Sequence, residues 1–196
     1  YIRKAHVADK EAGGITQSIG AYQAEFKGKL LTFIDTPGHA AFSKMRSRGA
    51  TVADIVVLVV AADDSVQPQT IESIKHIKAS GVPFVVAINK VDKPDAQVEV
   101  VKAELTQHEV FVEGYGGNTP FVLISGKKGT GVDTLLETIL LLAELEEIKY
   151  DDKAKLSAIV IEAKLDPKKG VLVSSIVKEG TLKLGDTVST TNAGCK

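Results

Sequence analysis

The 196-residue sequence predicts an α/β fold built on a parallel sheet, followed by the start of an all-β module. Between about residues 30 and 148, short segments rich in β-branched and aliphatic residues alternate with segments whose apolar residues have helical spacing. Nearly continuous apolar segments are typical of strands covered on both faces, and their alternation with helices is typical of parallel sheets. After residue 156 the pattern changes to short alternating strands separated by glycine turns, which is typical of all-β modules.

The predicted elements follow from this patterning in chain order. An early strand is expected near Tyr22–Phe26. The apolar segments predicted as strands are Leu30–Ile34, Ile55–Val60, Phe84–Ile88 and Phe121–Ile124. The segments predicted as helices are Ala40–Arg48, Thr70–Ala79, Gln97–His108 and Val132–Ile148. The second module is predicted to contain strands at Ser157–Ala163, Val171–Val177 and Thr187–Thr190.

A charged segment separates the two modules. In Lys149–Lys155 the apolar residues are Tyr150 and Ala154. Residues 149–156 are therefore predicted to be a linker between a first domain, 1–148, and a second, 157–196. The second domain has too few strands for a closed barrel, so we expect it to be incomplete. Because the chain begins at Tyr1 and its one methionine is Met45, we expect it to be part of a longer protein.

Composition excludes several classes of function. A net charge of −1 provides no global field for nucleic acid or for an anionic membrane. The longest apolar run, Ile55–Ala62, is too short to cross a bilayer. A single cysteine, Cys195, excludes an intramolecular disulfide framework and a cysteine-based zinc site. Because α/β sheets bind ligands at the carboxyl ends of their strands, the residues that follow each apolar segment are the candidates for chemistry.

The segment Asp35-Thr36-Pro37-Gly38-His39 follows the predicted strand Leu30–Ile34. An aspartate at the end of a buried strand is costly without a positive partner, and a hydrated Mg²⁺ on a nucleotide phosphate would supply one. Gly38 lets the backbone approach a phosphate oxygen, and His39 could orient an attacking water. The alternative is a polar turn that caps the following helix.

The segment Asn89-Lys90-Val91-Asp92 follows the strand Phe84–Ile88. Asp92 can accept hydrogen bonds from the N1–H and the exocyclic amine of guanine, a pair of donors that adenine does not offer. Asn89 would brace the loop, and the stem of Lys90 would lie along the ring face. The alternative is a simple turn in which Asp92 starts the next helix.

Two further segments are weaker signals. Ser125-Gly126-Lys127 follows the last apolar segment, where a backbone N–H would meet the guanine carbonyl and Lys127 would flank the base. Gly13–Thr16 precedes the first expected strand, and Thr16 could bind Mg²⁺ and the terminal phosphate. Each is also compatible with an ordinary loop. Taken in order, however, the four segments have the arrangement of GTP-binding proteins.

The sequence of the chain resembles that of translation initiation factor two of the bacterial and organellar type, a translational GTPase family. The match covers nearly the whole chain. The segments that match the family most closely are Glu11–Gln17, Asp35–Phe42, Met45–Ala50, Asp54–Asp64 and Pro68–Thr70. The segment Gly180–Asp186 is similar to the β-barrel second domain of translational GTPases.

This resemblance implies a G domain of the P-loop NTPase type, a parallel-rich doubly wound sheet whose first strand is missing from this chain, followed by the start of a β-barrel. It implies GTP or GDP and Mg²⁺ as cofactors. The implied activity is GTP hydrolysis on the ribosome, with placement of initiator tRNA and subunit joining. The implied partners are ribosomal RNA and proteins, and initiator tRNA through parts outside this chain; no membrane partner is expected, and the protein is expected to be a monomer.

The resemblance also implies a role for each site residue. Thr16 and Asp35 would hold Mg²⁺, Gly38 would contact the γ-phosphate, His39 would be the catalytic residue that positions water, and Ile15 would gate that water. The implied nucleotide-binding set is Asp35, Thr36, Pro37, Gly38, His39, Asn89, Lys90, Val91, Asp92, Ser125, Gly126 and Lys127.

The chain departs from the family in two places. The phosphate-cradling motif G-x-x-x-x-G-K-[ST] does not occur in it, so by itself it is expected to be inactive, with little GTP affinity. Because the family's first strand is also missing and would leave two strand edges unpaired, the chain by itself is expected to have no stable fold. Gly126 stands where the family more often has alanine, for which a looser turn is expected. The alternatives are an elongation-type or selenocysteine-type tRNA-delivery factor, or a noncatalytic ribosome-docking fragment. The expected location is the bacterial cytoplasm, or alternatively the mitochondrial matrix or plastid stroma.

Overall fold

The structure is a computed structural model that describes residues 2, 20–36, 49–50, 52–168, 170–189 and 194–195. The chain divides into two compact units, residues 1–148 and residues 149–196. The predicted helix Ala40–Arg48 lies outside the described residues. Directly after its predicted end, Gly49, Ala50 and Val52 are helical.

An antiparallel hairpin opens the first unit. Strand β1 (Gly20–Phe26) pairs with β2 (Lys29–Asp35) from Gly20 opposite Asp35 to Phe26 opposite Lys29. The two turn residues, Lys27 and Gly28, have φ values of 49° and 75°, as tight hairpin turns require.

A strand at Leu30–Ile34 is confirmed, but the expectation that it is covered on both faces is wrong, because Leu30 is 63% exposed. Among the described residues β2 pairs with β1 alone. A two-residue turn forces antiparallel pairing, and only alternate residues, among them Leu31 and Phe33, pack against the core.

A three-stranded parallel sheet lies at the centre of the first unit. Its strands are β3 (Val56–Ala61), β4 (Phe84–Asn89) and β5 (Phe121–Leu123), in the order β3-β4-β5. The central strand, β4, is the most deeply buried of the described strands. It lies between the other two strands, and helices cover both faces of the sheet. In register, Ile88 lies opposite Val60 on one side and Leu123 on the other.

Helices cover both faces of this sheet. These are α1 (Pro68–Ser80), α2 (Val98–Gln107) and α3 (Val132–Leu145). Apolar residues of α1 and α2 share one core with Val86 and Ile88, whereas those of α3 share the opposite core with Val85 and Ala87. Successive side chains of a strand point to opposite faces, so both cores come from one continuous apolar strand. The predicted α/β class is confirmed. None of the helices described here has the length and apolarity that a membrane span requires.

The helix ends differ slightly from the predicted ones. Helix α1 begins at Pro68, which suits a first helical turn because that position needs no N–H donor. It ends where Gly81 adopts a left-handed conformation with φ of 67° and donates its N–H to the carbonyl of Ile77 at 3.1 Å. Helix α3 ends at Leu145, three residues before its predicted end.

The described part of the second unit contains two antiparallel strand pairs. Strand β6 (Ser157–Asp166) pairs with β7 (Gly170–Glu179), and β8 (Val188–Ser189) pairs with β9 (Gly194–Cys195). The predicted linker is hydrogen-bonded to the end of β7: the N–H of Gly180 donates to the carbonyl of Asp151 at 2.9 Å, and the Tyr150 hydroxyl donates to the Gly180 carbonyl. Residues 149–156 therefore belong to the second unit in space.

Candidate nucleotide-binding site

Two loops meet at the carboxyl ends of β4 and β5. The β4 loop is defined here as Asn89–Gln97 and the β5 loop as Ser125–Thr130. Asn89 joins them, because its side-chain Oδ1 accepts the backbone N–H of Lys90 at 2.7 Å and that of Gly126 at 2.9 Å. The structure thus brings together two segments that are 37 positions apart in the sequence.

The backbone of Lys90 has an unusual conformation, with φ of 64°. Residues with a Cβ rarely adopt this left-handed region, so the surrounding hydrogen bonds must hold it. The bond from Lys90 N–H to Asn89 lies on one side, and the Lys90 carbonyl accepts the N–H of Lys93 at 3.1 Å on the other. Val91 donates its N–H to the carbonyl of Ile124 at 3.3 Å, which is a second link toward β5.

Asp92 is paired with the hydroxyl of Ser125. The Ser125 hydrogen bond is the largest cause of a lowered Asp92 pKa, opposed by burial and assisted by a backbone hydrogen bond and by the charges of Lys128 and Lys127. Ser125 is only 1% exposed, and its Oγ also accepts the N–H of Lys128 at 3.1 Å. Asp92 therefore stays ionised and offers only acceptor oxygens to a ligand.

The β5 loop is a closed turn. The N–H of Ser125 donates to the carbonyl of Thr130 at 2.9 Å, and the N–H of Gly129 donates to the carbonyl of Ser125 at 2.7 Å. Gly131, the residue before α3, has φ of 74°, and a Cβ there would lie 2.0 Å from the carbonyl oxygen of Leu123. Only glycine fits this position, so the start of α3 is tied closely to the end of β5.

Asp63 is a member of the site that the sequence motifs did not indicate. It lies in the loop that follows β3, its side chain is 9% exposed, and it pairs with two lysines of the β4 loop. The Nζ of Lys90 lies 3.0 Å from Oδ1, and the Nζ of Lys93 lies 2.5 Å from Oδ2. Hydrogen bonds from Lys93 and then from Lys90 lower the pKa of Asp63 to about 2. Its position after a parallel strand was the available signal, because such positions share one edge of the sheet.

The other predicted residues belong to the segment after β2 or lie outside the described residues. Asp35 ends β2 opposite Gly20, and Thr36 follows it. A Cβ on Gly49 would lie 2.7 Å from Thr36 Cγ2, so a glycine there allows the helix to pass close to Thr36. The predicted members outside the described range are Ile15, Thr16, Pro37, Gly38 and His39.

Comparison with known proteins gives relatives along nearly the whole chain. Translation initiation factor IF-2 of Bartonella bacilliformis is 59% identical over 187 residues, which is 95% of this chain and 22% of that protein. The same factor of Bartonella henselae matches to the same extent. The chain thus spans about a fifth of the length of the curated relatives it matches.

Solved structures of translational GTPases share the fold. GDP-bound aIF5B of Aeropyrum pernix has a TM-score of 0.69 and 28% identity, with 95% of this chain and 40% of that one covered. The elongation factor SelB of Methanococcus maripaludis, solved with the GTP analogue GppNHp, has a TM-score of 0.68 and 25% identity, with 88% and 38% covered.

The sequence profile of the family described as the elongation factor Tu GTP binding domain matches residues 5–145. The resemblance to translation initiation factor two is confirmed as similarity to curated proteins of that name. The chain belongs to the family of the elongation factor Tu GTP binding domain.

Proposed function

We propose that this chain is the guanine-nucleotide-binding part of a translation initiation factor that hydrolyses GTP on the ribosome. The observation that carries the proposal is the junction of the β4 and β5 loops. There the Gly126 N–H donates to the side chain of Asn89, and the side chains of Ser125 and Asp92 are hydrogen-bonded. The 59% identity to IF-2 over 95% of the chain supports the initiation role.

Guanine recognition is assigned to the two joined loops. The ionised carboxylate of Asp92 would accept the N1–H and the exocyclic amine of the base. Within the β5 loop, the N–H groups of Ser125, Gly126 and Lys128 already donate to described acceptors. We assign the N–H of Lys127, which lies between two of these donors in the sequence, to the guanine carbonyl. The stems of Lys90 and Lys127 would flank the ring.

Phosphate and Mg²⁺ binding is assigned to the segment after β2. Asp35 offers a carboxylate oxygen, the ligand that Mg²⁺ prefers, and Mg²⁺ on a nucleotide needs only one or two protein ligands besides water and phosphate. Asp35 and Thr16 would hold the ion, which neutralises charge on the phosphates. Binding of the α- and β-phosphates is not assigned to residues of this chain, since the phosphate-cradling motif does not occur in it.

Hydrolysis would use the residues around His39. Water would attack the γ-phosphorus, and the bond from that atom to the β–γ bridging oxygen would break, which yields GDP and inorganic phosphate. His39 would orient the water, Gly38 would donate its N–H to the γ-phosphate, and Ile15 would limit access of water. We expect hydrolysis to be slow without ribosomes, because the ribosome would complete this arrangement.

The alternatives make different predictions. An elongation-type tRNA-delivery factor is less favoured, because the bacterial selenocysteine-specific elongation factor EF-Sec is 29% identical whereas the IF-2 relatives are 59% identical. A noncatalytic docking fragment would bind ribosomes without ribosome-stimulated hydrolysis.

We propose the bacterial cytoplasm as the location because the curated relatives are bacterial; an organelle is the alternative.

The decisive experiment compares guanine with xanthine nucleotides in the full-length protein that contains this chain. Wild type should bind fluorescent GDP much more tightly than the xanthosine analogue, and Asp92→Asn should reverse the preference by about a hundredfold or more, because the amide can donate to the xanthine oxygen. The matched control is Asp95→Asn, an exposed carboxylate of the same loop.

The guanine assignment is wrong if Asp92→Asn and Asp95→Asn leave the preference equally unchanged. A second measurement, GTP turnover with and without ribosomes, tests the catalytic part. His39→Ala should abolish the stimulated rate while GDP binding persists, and unchanged turnover would contradict the role of His39.

A further inference from the structure

A cluster of three charged side chains links the loop that follows β3 to the β4 loop. It consists of Asp63, Lys90 and Lys93, and its central carboxylate is 9% exposed while the two lysine side chains are 43% and 48% exposed. Both ammonium groups donate to the same oxygen, Oδ2, Lys93 at 2.5 Å and Lys90 at 3.2 Å. The Lys90 Nζ also lies 3.0 Å from Oδ1, which has no hydrogen-bond donor among the described residues. Burial of a carboxylate is costly, so this arrangement requires both positive partners.

The backbone fixes Asp63 relative to the β4 loop. The N–H of Ala62, its neighbour, donates to the carbonyl of Asn89 at 2.8 Å. The carbonyl of Ala62 accepts the N–H of Gln97 at 2.8 Å, at the residue before α2. Both ends of the β4 loop are therefore attached beside Asp63, so the backbones of Asp63 and Lys90 keep a fixed spacing.

Lys90 is held at both ends as a result. Its backbone is fixed in the left-handed region by Asn89, and its ammonium group is fixed by Asp63. A lysine side chain has many rotamers in solution, and their loss on ligand binding weakens affinity. A side chain that is ordered before the ligand arrives avoids that loss.

We propose that Asp63 is a positioning residue that orders the side chain of Lys90 as one wall of the guanine pocket. The inference rests on the proposed function, since it assigns Lys90 to the ring face of the base. Lys93 is the second cation of the cluster and has no assigned contact with the base. Its role is to balance the carboxylate, so its removal should matter less than the removal of Asp63.

The test is a double-mutant cycle on the dissociation rate of fluorescent GDP from the full-length protein. Asp63→Asn should accelerate dissociation by about tenfold, within the range of coupling between residues in direct contact. In a Lys90→Met background, Asp63→Asn should have no further effect, because the side chain that it orders is gone. Lys93→Met should accelerate dissociation by less than Asp63→Asn, and Asp95→Asn should leave it unchanged.

A purely structural role for Asp63 would give a different result. Asp63→Asn would then accelerate dissociation to the same extent in both backgrounds, in parallel with a lower melting temperature, and the proposal would be overturned. Asp63→Glu keeps the charge but displaces it by one methylene, so it should give an intermediate rate and provides the test if Asp63→Asn fails to fold.

The proposal and the function on which it rests fail in distinguishable ways. If Asp63→Asn leaves GDP dissociation unchanged while Asp92→Asn still shifts preference to the xanthine nucleotide, the positioning role is wrong and the guanine site stands. If the wild-type protein binds neither GDP nor GTP, both are wrong.

Discussion

The side-chain oxygen of Asn89 accepts the backbone N–H of Gly126 at 2.9 Å, and this bond joins the ends of two parallel strands. The same oxygen accepts the N–H of Lys90 at 2.7 Å, so one amide organises both candidate base-binding loops. Asn89 is itself the last residue of β4, the most buried strand. The geometry of the site is therefore anchored directly in the core of the sheet.

Replacement of Asn89 should destabilise the protein. Asn89→Ala removes one acceptor and leaves two backbone N–H groups without it, which should lower the free energy of unfolding by about 1–3 kcal/mol. Urea denaturation of the full-length protein measures this change. Asn118→Ala, at an exposed asparagine of the same unit, should have little effect. Equal stability of the two variants would contradict the anchoring role.

Removal of the Ser125 hydroxyl should raise the pKa of Asp92. That hydroxyl is the largest cause of the lowered Asp92 pKa, whereas the charge of Lys128 is a smaller one. We expect Ser125→Ala to shift the Asp92 titration upward, and Lys128→Met to shift it less, in carboxyl-carbon NMR spectra recorded against pH. A larger shift for Lys128→Met would show that charge, and not the hydroxyl, controls Asp92.

Gly126 should tolerate alanine. A Cβ there would lie 3.6 Å from Asn89 Oδ1, which is ordinary van der Waals contact, and the residue does not have positive φ. The looser turn expected from the sequence is not required by the geometry, because the Gly126 N–H is already bound to Asn89. Gly126→Ala should raise the free energy of unfolding by about 0.4–1 kcal/mol through reduced entropy of the unfolded chain, as measured by urea denaturation. A loss of stability would mean that the β5 loop needs glycine.

Gly131 should not tolerate alanine. The new Cβ would lie 2.0 Å from the Leu123 carbonyl oxygen at a residue with φ of 74°, so the start of α3 would have to move. We expect Gly131→Ala to lower the free energy of unfolding by about 2 kcal/mol or more. Gly126→Ala, in the neighbouring turn, is the matched control, and thermal melts of both variants in one buffer make the comparison.

Stability should fall in acid partly through Asp63. Its pKa is about 2 in the folded protein against an ordinary 3.8, so the unfolded chain takes up this proton more readily. The stabilising contribution is complete above about pH 4 and is lost as the pH falls toward about 2.

The measurement is the melting temperature of wild type and Asp63→Asn against pH. The difference between them should be constant from about pH 5 to pH 7 and should shrink as the pH falls from about 4 to 2, because the other carboxylates are common to both proteins. A difference that stays constant down to pH 2 would mean that Asp63 has an ordinary pKa.

The order of strands, helices and strand-end residues could be read from the sequence. Continuous apolar segments such as Phe84–Ile88 are local signals, and the residues at the strand ends are those that follow directly in the sequence. The partner of each strand could not be read in the same way. The segment Leu30–Ile34 has the composition of a strand covered on both faces, yet Leu30 is exposed. Its described partner is β1, which the two-residue turn at Lys27 and Gly28 places antiparallel to it.

The fold class, the family and the chemical identity of the residues at the strand ends are evident from the sequence alone. Which of those residues meet becomes evident only in the folded chain: Gly126 meets Asn89, Ser125 meets Asp92, and Asp63 meets Lys90. Parallel packing brings the carboxyl ends of neighbouring strands to one edge, so residues 27 to 37 positions apart come within hydrogen-bonding distance. Such contacts depend on strand register and burial, which local spacing does not encode.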